Sequence, residues 1–137
     1  MFNFRRKEVP WEVVNSSTVD AVPMYYEDEG IHQFLPDLEI AFTGQSNIRG
    51  TYVFDVSSGT KVPELRRVIE FARQQLLQRI AKKGYNILLL EGWQLTVYRR
   101  GKEHRIEVQY TGRPARAFGK LPESRSPPFT AVLETCY

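Results

Sequence analysis

The residue types that most often do chemistry are sparse in this chain and poorly spaced for it. Its two histidines, His32 and His104, share no metal-ligand spacing with each other. Neither has a serine or cysteine at a position that suggests a nucleophile–base pair. The one cysteine, Cys136, sits next to the C-terminus, a poor place for a preorganised nucleophile, and a lone thiol makes neither an internal disulfide nor a Cys-based metal site. Glu27, Asp28, Glu29, Asp37 and Glu39 could offer oxygens to a hard cation, but they lack the alternating acidic register of a calcium loop. A solvated acidic turn is the expected reading. His32 could pair with Asp28 or Glu29, and a general base there is the weaker expectation. Neither a glycine-rich dinucleotide fingerprint nor a phosphate-binding Gly-Lys-Ser/Thr loop occurs. We therefore read no catalytic residue, no cofactor and no metal site, and expect a non-enzymatic protein.

What remains is surface. Arg99, Arg100, Lys102, His104 and Arg105 gather around Gly101-Lys102, and Arg113, Arg116, Lys120 and Arg125 follow. Tyr98 and Gln94 fall on the same strand face as Arg105. An aromatic beside arginines can stack bases and neutralise phosphates, so single-stranded nucleic acid is one candidate partner. Glu103 and Glu107 interleave with these cations and weaken that reading. Ser124-Arg125-Ser126-Pro127-Pro128 has the look of a phosphorylatable loop.

The elements that would carry this surface are legible between Lys61 and Tyr110. Leu65, Val68, Ile69, Ala72, Leu76 and Ile80 recur at steps of three and four, the apolar stripe of an amphipathic helix. Thr60 is a candidate N-cap, Pro63 suits the first turn, and Gly84 suits a left-handed stop. Phe71 and Leu77 widen the stripe, so the helix is expected to touch two surfaces, and polar residues, Arg73 among them, fill the rest. Tyr85 to Leu90 then reads as a strand, Glu91-Gly92 as a turn, and Trp93 to Arg100 as a second strand. Gly101-Lys102 suits a type II′ hairpin turn and sets a register that pairs Arg100 with Glu103, Val97 with Ile106, Leu95 with Val108 and Trp93 with Tyr110. A one-residue slip would exchange the buried and exposed faces, so the alternation specifies that register. In this reading Ile87 and Leu89 project to the polar face. Either the N-terminal region covers them or they join a second copy or another protein.

Elsewhere the pattern is looser. Residues 1–30 read as an irregular arm, and 31–137 as one domain with a long basic Pro/Gly/Ser loop at 111–128. Leu38 to Phe42 and Thr51 to Val56 read as strands of a long hairpin, and Phe129 to Thr135 as a last strand. The expectation is an α+β domain: an antiparallel sheet of five to six strands in β-β-α-β-β-β order, one long helix packed on one face. In element order alone this resembles sensor and adaptor modules of the profilin-like and longin-like sort. That resemblance carries no family motif.

A chain of 137 residues is the size of one domain and long enough to bury a core. Residues 1–60 carry four Lys or Arg against nine Asp or Glu, and residues 61–137 fifteen against seven. The net charge of +3 thus hides an acidic front and a basic rear, which we expect to pack beside each other. No apolar run is long enough to span a bilayer, and no apolar segment of a secretory signal follows Met1–Lys7. The reading is a cytoplasmic binding module for a protein partner or a second copy, with nucleic acid as the alternative and a pocket between helix and sheet near Trp93 and Tyr110 as the third. The candidate interaction surface is Ile87, Leu89, Tyr98, Arg100, Lys102, Arg105, Arg113 and Arg116.

Overall fold

Leucine, isoleucine and valine at helical spacing give one helix, and alternating apolar residues give the strands it covers. The computed structural model describes residues 9–28, 31–34, 39–57, 59, 61–119 and 127–128. Its elements are β1 (Glu12–Pro23), β2 (Tyr26–Asp28), β3 (Ile31–Phe34), β4 (Glu39–Thr43), β5 (Ile48–Val56), α1 (Leu65–Ala81), β6 (Ile87–Arg100) and β7 (Glu103–Phe118). β1, β6, β7, β4 and β5 form one antiparallel sheet, and β2 pairs with β3 apart from it. The fold is α+β with one helix packed on the sheet, as expected. The order of the sheet strands and helix is β-β-β-α-β-β, because a strand precedes the two expected before the helix and only two follow it.

The helix matches its sequence signature. Leu65, Val68, Ile69, Ala72, Leu76 and Ile80 are all buried, and Gly84 takes a φ of +91° just beyond the C-cap, Lys82. The N-cap is Glu64, which makes no side-chain capping bond. Thr60 and the strand expected at 129–135 lie outside the described residues. The β6–β7 register is the expected one from Trp93↔Tyr110 to Arg100↔Glu103, with Gly101 at φ +62° in the turn.

Four departures matter. Glu12–Pro23, within the segment read as an irregular arm, is a strand along β6. Glu91-Gly92 is no turn, because β6 runs unbroken from Ile87 to Arg100. The segment read as a loop from Thr111 begins with the second half of β7, which extends to Phe118. β4 and β5 are not a hairpin: both pair with β7, β5 along His104–Gly112 and β4 along Ala115–Phe118, so they follow one another along a single edge.

These departures share a cause. The pairing slips where Leu88↔Pro114 gives way to Glu91↔Gly112, and where Val19↔Trp93 gives way to Val22↔Glu91. On the other side of β7, the step from Thr43↔Ala115 to Ile48↔Gly112 skips residues of the edge chain. A line of bulges therefore crosses the sheet. An extra residue on one strand bends it and shifts which side chains share a face. Glycine is required along this line: a Cβ on Gly92 would stand 2.6 Å from the amide nitrogen of Ala21, and one on Gly112 2.7 Å from Cδ2 of Leu88.

Two cores result. On the helix side, α1 packs on Leu88, Trp93, Leu95, Val97, Ile106, Val108 and Tyr110. Beyond the bulges, Ile87, Leu89, Ala115 and Ala117 form a second cluster with Tyr25, flanked by Met24 and Ile40. Ile87 and Leu88 are neighbours on one strand, so these clusters lie on opposite faces. Asn86 closes the far end, its side-chain amide donating to the Ala117 carbonyl and accepting from the Ala117 N–H.

Candidate functional site

The most concentrated polar chemistry is buried beneath the helix. Arg73 points inward from α1, 3% exposed, and Glu91 is fully buried on β6. Arg73 Nε donates to Glu91 Oε1 at 2.5 Å and Nη2 to Oε2 at 3.1 Å, a two-pronged pair. The Tyr110 hydroxyl donates to Glu91 Oε1 at 2.6 Å. The bulge makes this geometry possible: Leu88 and Glu91, three residues apart, share the helix-covered face, which a regular strand without a bulge forbids.

Burial opposes the charge of Arg73, but the hydrogen bonds and charge of Glu91 outweigh it and hold the guanidinium above its ordinary pKa. Burial first, and then the adjacent Glu91 carboxylate, push the Tyr110 hydroxyl far above its ordinary value. It stays a donor. Among the described residues no buried side-chain polar atom is left without a partner, so the trio is satisfied where it lies and supports the fold. The Trp93 indole N–H donates to the Pro128 carbonyl at 2.8 Å, which seats Pro128 beside the core. Beneath the helix Trp93 is 2% exposed and Tyr110 fully buried.

The basic hairpin is bound internally. The guanidinium carbons of Arg100 and Arg105 stand 4.4 and 4.6 Å from the ring centre of Trp11, so the indole is shared by two cations. Arg105 also makes a two-pronged pair with Asp55, at 2.6 and 3.2 Å. Arg100 reaches Glu103 at 3.5 Å, and Arg99 reaches Glu12 at 3.6 Å. The Arg105 hydrogen bond is the main cause that lowers the Asp55 pKa. Acidic residues of the front half thus face cations of the rear half.

Of the candidate surface residues, Tyr98, Arg100 and Arg105 come together at this hairpin with Lys102 at its exposed tip. Arg113 and Arg116 lie on β7 on the far side of Gly112, where Arg113 donates to the Asn47 side chain at 2.8 Å. They do not fold back onto the hairpin. Of the two expectations for Ile87 and Leu89, cover by the N-terminal region is the one observed: at 4% and 8% exposure they are core, covered by Tyr25 and Met24, and they are corrected as surface candidates. The bulge puts them on a second buried face. His104 is half-buried on β7, His32 belongs to β3, and Cys136, Lys120, Arg125 and Ser126 lie outside the described residues. Among the described residues no group of three or more His, Cys, Asp or Glu could hold a metal ion, and no helix is long and apolar enough to cross a membrane.

One region missed in the sequence is an open groove of about 290 Å³ between α1 and β5, lined by Gly50, Thr51, Tyr52, Gln75, Gln78, Arg79 and Lys82. Arg79 Nη1 donates to the Arg49 carbonyl at 3.0 Å, clasping the strand from the helix. At the other end of β5, Phe54 and Phe71 meet edge to face, their centroids 5.4 Å apart. Phe71 remains 49% exposed and Val53 51%. The signal was present as Phe71, Gln75, Gln78 and Lys82, a second stripe at helical spacing beside the buried one. A second, smaller hollow lies at the bulge line and is lined by Trp93 with Thr18, Asp20, Arg49, Gln94, Gln109 and Thr111 among others.

No protein-family model matches this sequence, and neither the curated proteins nor the solved structures compared with it include a match.

Proposed function

We propose that this chain is a non-enzymatic binding module whose partner is a protein segment. The observation that carries the reading is the outer edge of β5. Among the described strands it pairs only with β7, and half-exposed Val53 and Phe71 flank it. An open strand edge beside exposed apolar side chains is a template for another chain. The groups with most chemical potential, Arg73, Glu91 and Tyr110, are occupied with one another in the core. The alternative, nucleic acid on the hairpin, draws on Lys102 and on arginines already engaged with Trp11, Asp55, Glu103 and Glu12.

The test is selection of a displayed random-peptide library on the purified, nuclease-treated chain, beside a titration with mixed-sequence single-stranded RNA. A recurrent peptide pattern is expected, with dissociation constants on the order of micromolar. Failure to select any peptide, together with tight RNA binding that falls steeply with salt, would replace this reading with the nucleic-acid one.

A further inference from the structure

We infer that the groove between α1 and β5 receives an extended acidic segment of a partner protein, added antiparallel to β5 as one more strand. The inference rests on the binding-module reading and specifies its partner. Its apolar anchor packs against Phe54 and Phe71, and its carboxylates lie on Arg79 and Lys82.

Three observations converge. The first is backbone. β5 pairs with β7 on one side, and Arg79 takes the carbonyl of Arg49 from the helix side. Arg79 already holds the Arg49 carbonyl, and beyond it an extended chain can use as a ladder the backbone of an edge that no other described strand pairs. Each adjacent pair in this sheet is antiparallel, so a further strand in that sense continues the pattern.

The second is the helix. Phe71, Gln75, Gln78 and Lys82 form one stripe along α1, spanning about 16 Å at 1.5 Å per residue. The strand from Gly50 to Phe54 spans about 13 Å. Helix and strand thus make two walls of similar length, aromatic at one end and cationic at the other. Gln75 and Gln78, between those ends, offer amide donors and acceptors.

The third is charge. The groove lining includes Arg79 and Lys82 and no Asp or Glu. The helix C-terminus nearby carries about half a negative charge, which two full cations exceed. The bound segment must therefore be acidic where it passes Gly50 to Tyr52. Because β5 runs from the cationic end to the aromatic end, an antiparallel segment meets the aromatics first. Its pattern is an aromatic or aliphatic residue followed about two to four residues later by carboxylates.

The experiment is a fluorescence-polarisation titration with a labelled nine-residue synthetic peptide of that pattern. Its comparators are a form with lysines for the carboxylates and a form with alternate backbone amides N-methylated. The protein is tested as wild type, as Arg79→Glu/Lys82→Glu, and as Lys102→Glu at the remote hairpin. Arg79→Glu also removes the bond to the Arg49 carbonyl, so Lys82→Glu alone, which keeps that bond, is titrated beside the double variant, and the melting temperature of each protein is compared with wild type. Expected is micromolar binding of the acidic peptide, weakened at least about tenfold by the groove double variant, by lysine substitution and by N-methylation, and unchanged in Lys102→Glu. Equal binding of acidic and lysine peptides, or indifference to the groove variant, overturns the groove assignment while leaving a peptide-binding module. Loss on N-methylation alone would keep the added strand and overturn the acidic preference. If no peptide binds here and library selection is also empty, the module reading falls with it.

Discussion

On either side of the bulge line, the two halves of the sheet bury different faces: the half under the helix buries one, and the far half, with Leu88 toward the helix and Ile87 and Leu89 away from it, buries both. The half under the helix places Leu95, Val97, Ile106 and Val108 against α1 and leaves Gln94 and the Thr96 side to the other face. The far half places Ile87, Leu89, Ala115 and Ala117 on that other face, under Tyr25. The first half has a continuous helix to pack on, so alternation along each strand is enough to specify it. The second borrows its cover from the chain just after β1, where the Met24 N–H donates to the Leu89 carbonyl. A bulged sheet can thus build two cores with one helix. The cost is a polar residue, Glu91, buried at the junction and compensated by Arg73 and Tyr110.

The strongest way to break that junction is to strip Arg73 of its counter-ion. Glu91→Ala should destabilise by ~3–5 kcal/mol, because a buried guanidinium is left unpaired. The double variant Arg73→Met/Glu91→Leu should recover most of that loss, since hydrophobic replacement of a whole buried pair is often neutral or better. Urea unfolding of the three proteins measures both. If the single variant is harmless, the pair is not buried as described.

Paired truncations compare the two cores. Leu95→Ala, in the fully buried helix-covered half, should cost ~2–5 kcal/mol, and Leu89→Ala should fall near the bottom of that range. Equal losses in thermal or chemical unfolding would mean that the far half is as tightly packed as the first. At the bend itself, Gly92→Ala should cost ~1–3 kcal/mol, because the new methyl meets backbone atoms of β1 that cannot rotate away. A neutral Gly92→Ala would show that β1 does not cross so close.

The smallest effects are read by pH. The Tyr110 pKa is raised in the folded state, so its contribution is fully present below the ordinary tyrosine value of 10.0 and is lost as pH rises above it. Tyr52 is shifted the same way, chiefly by burial. Tyr110→Phe should therefore flatten, without abolishing, the loss of stability at alkaline pH, as followed by unfolding midpoints. Asp55 has the opposite sign: its lowered pKa keeps the Arg105 pair intact above the ordinary aspartate value of 3.8 and lost as pH falls through the folded one. Trp11 fluorescence, which reports Arg105 over the indole, should change only in that acidic window and lose the transition in Asp55→Asn.

Local chemistry made the helix and the β6–β7 hairpin readable. Each states its period, start and stop within a short stretch, and a two-residue turn leaves one register that buries Leu95 and Val97 with Ile106 and Val108. Glu91-Gly92 misleads for an equally local reason, since a charged residue before a glycine between apolar runs is what a turn looks like. Its partner Arg73 lies 18 residues away, and nothing in the helix pattern marks that arginine as inward. Likewise Gly112 and Pro114 read as loop residues, yet they sit where the pairing of β7 slips.

The sequence by itself determined the helix, its buried stripe, the hairpin and its register, because these depend on periodicity and turn chemistry between near neighbours. Tertiary structure alone decided that β6 is one strand, that Ile87 and Leu89 are core, that the hairpin arginines are engaged, and that β5, beside α1, pairs only with β7 among the described strands. Each of those rests on contacts between distant segments: β1 against β6, Tyr25 against Leu89, Trp11 and Asp55 against Arg105, and α1 against β5. A bulge shifts side-chain parity by one residue, and only the neighbouring strands determine where that residue goes.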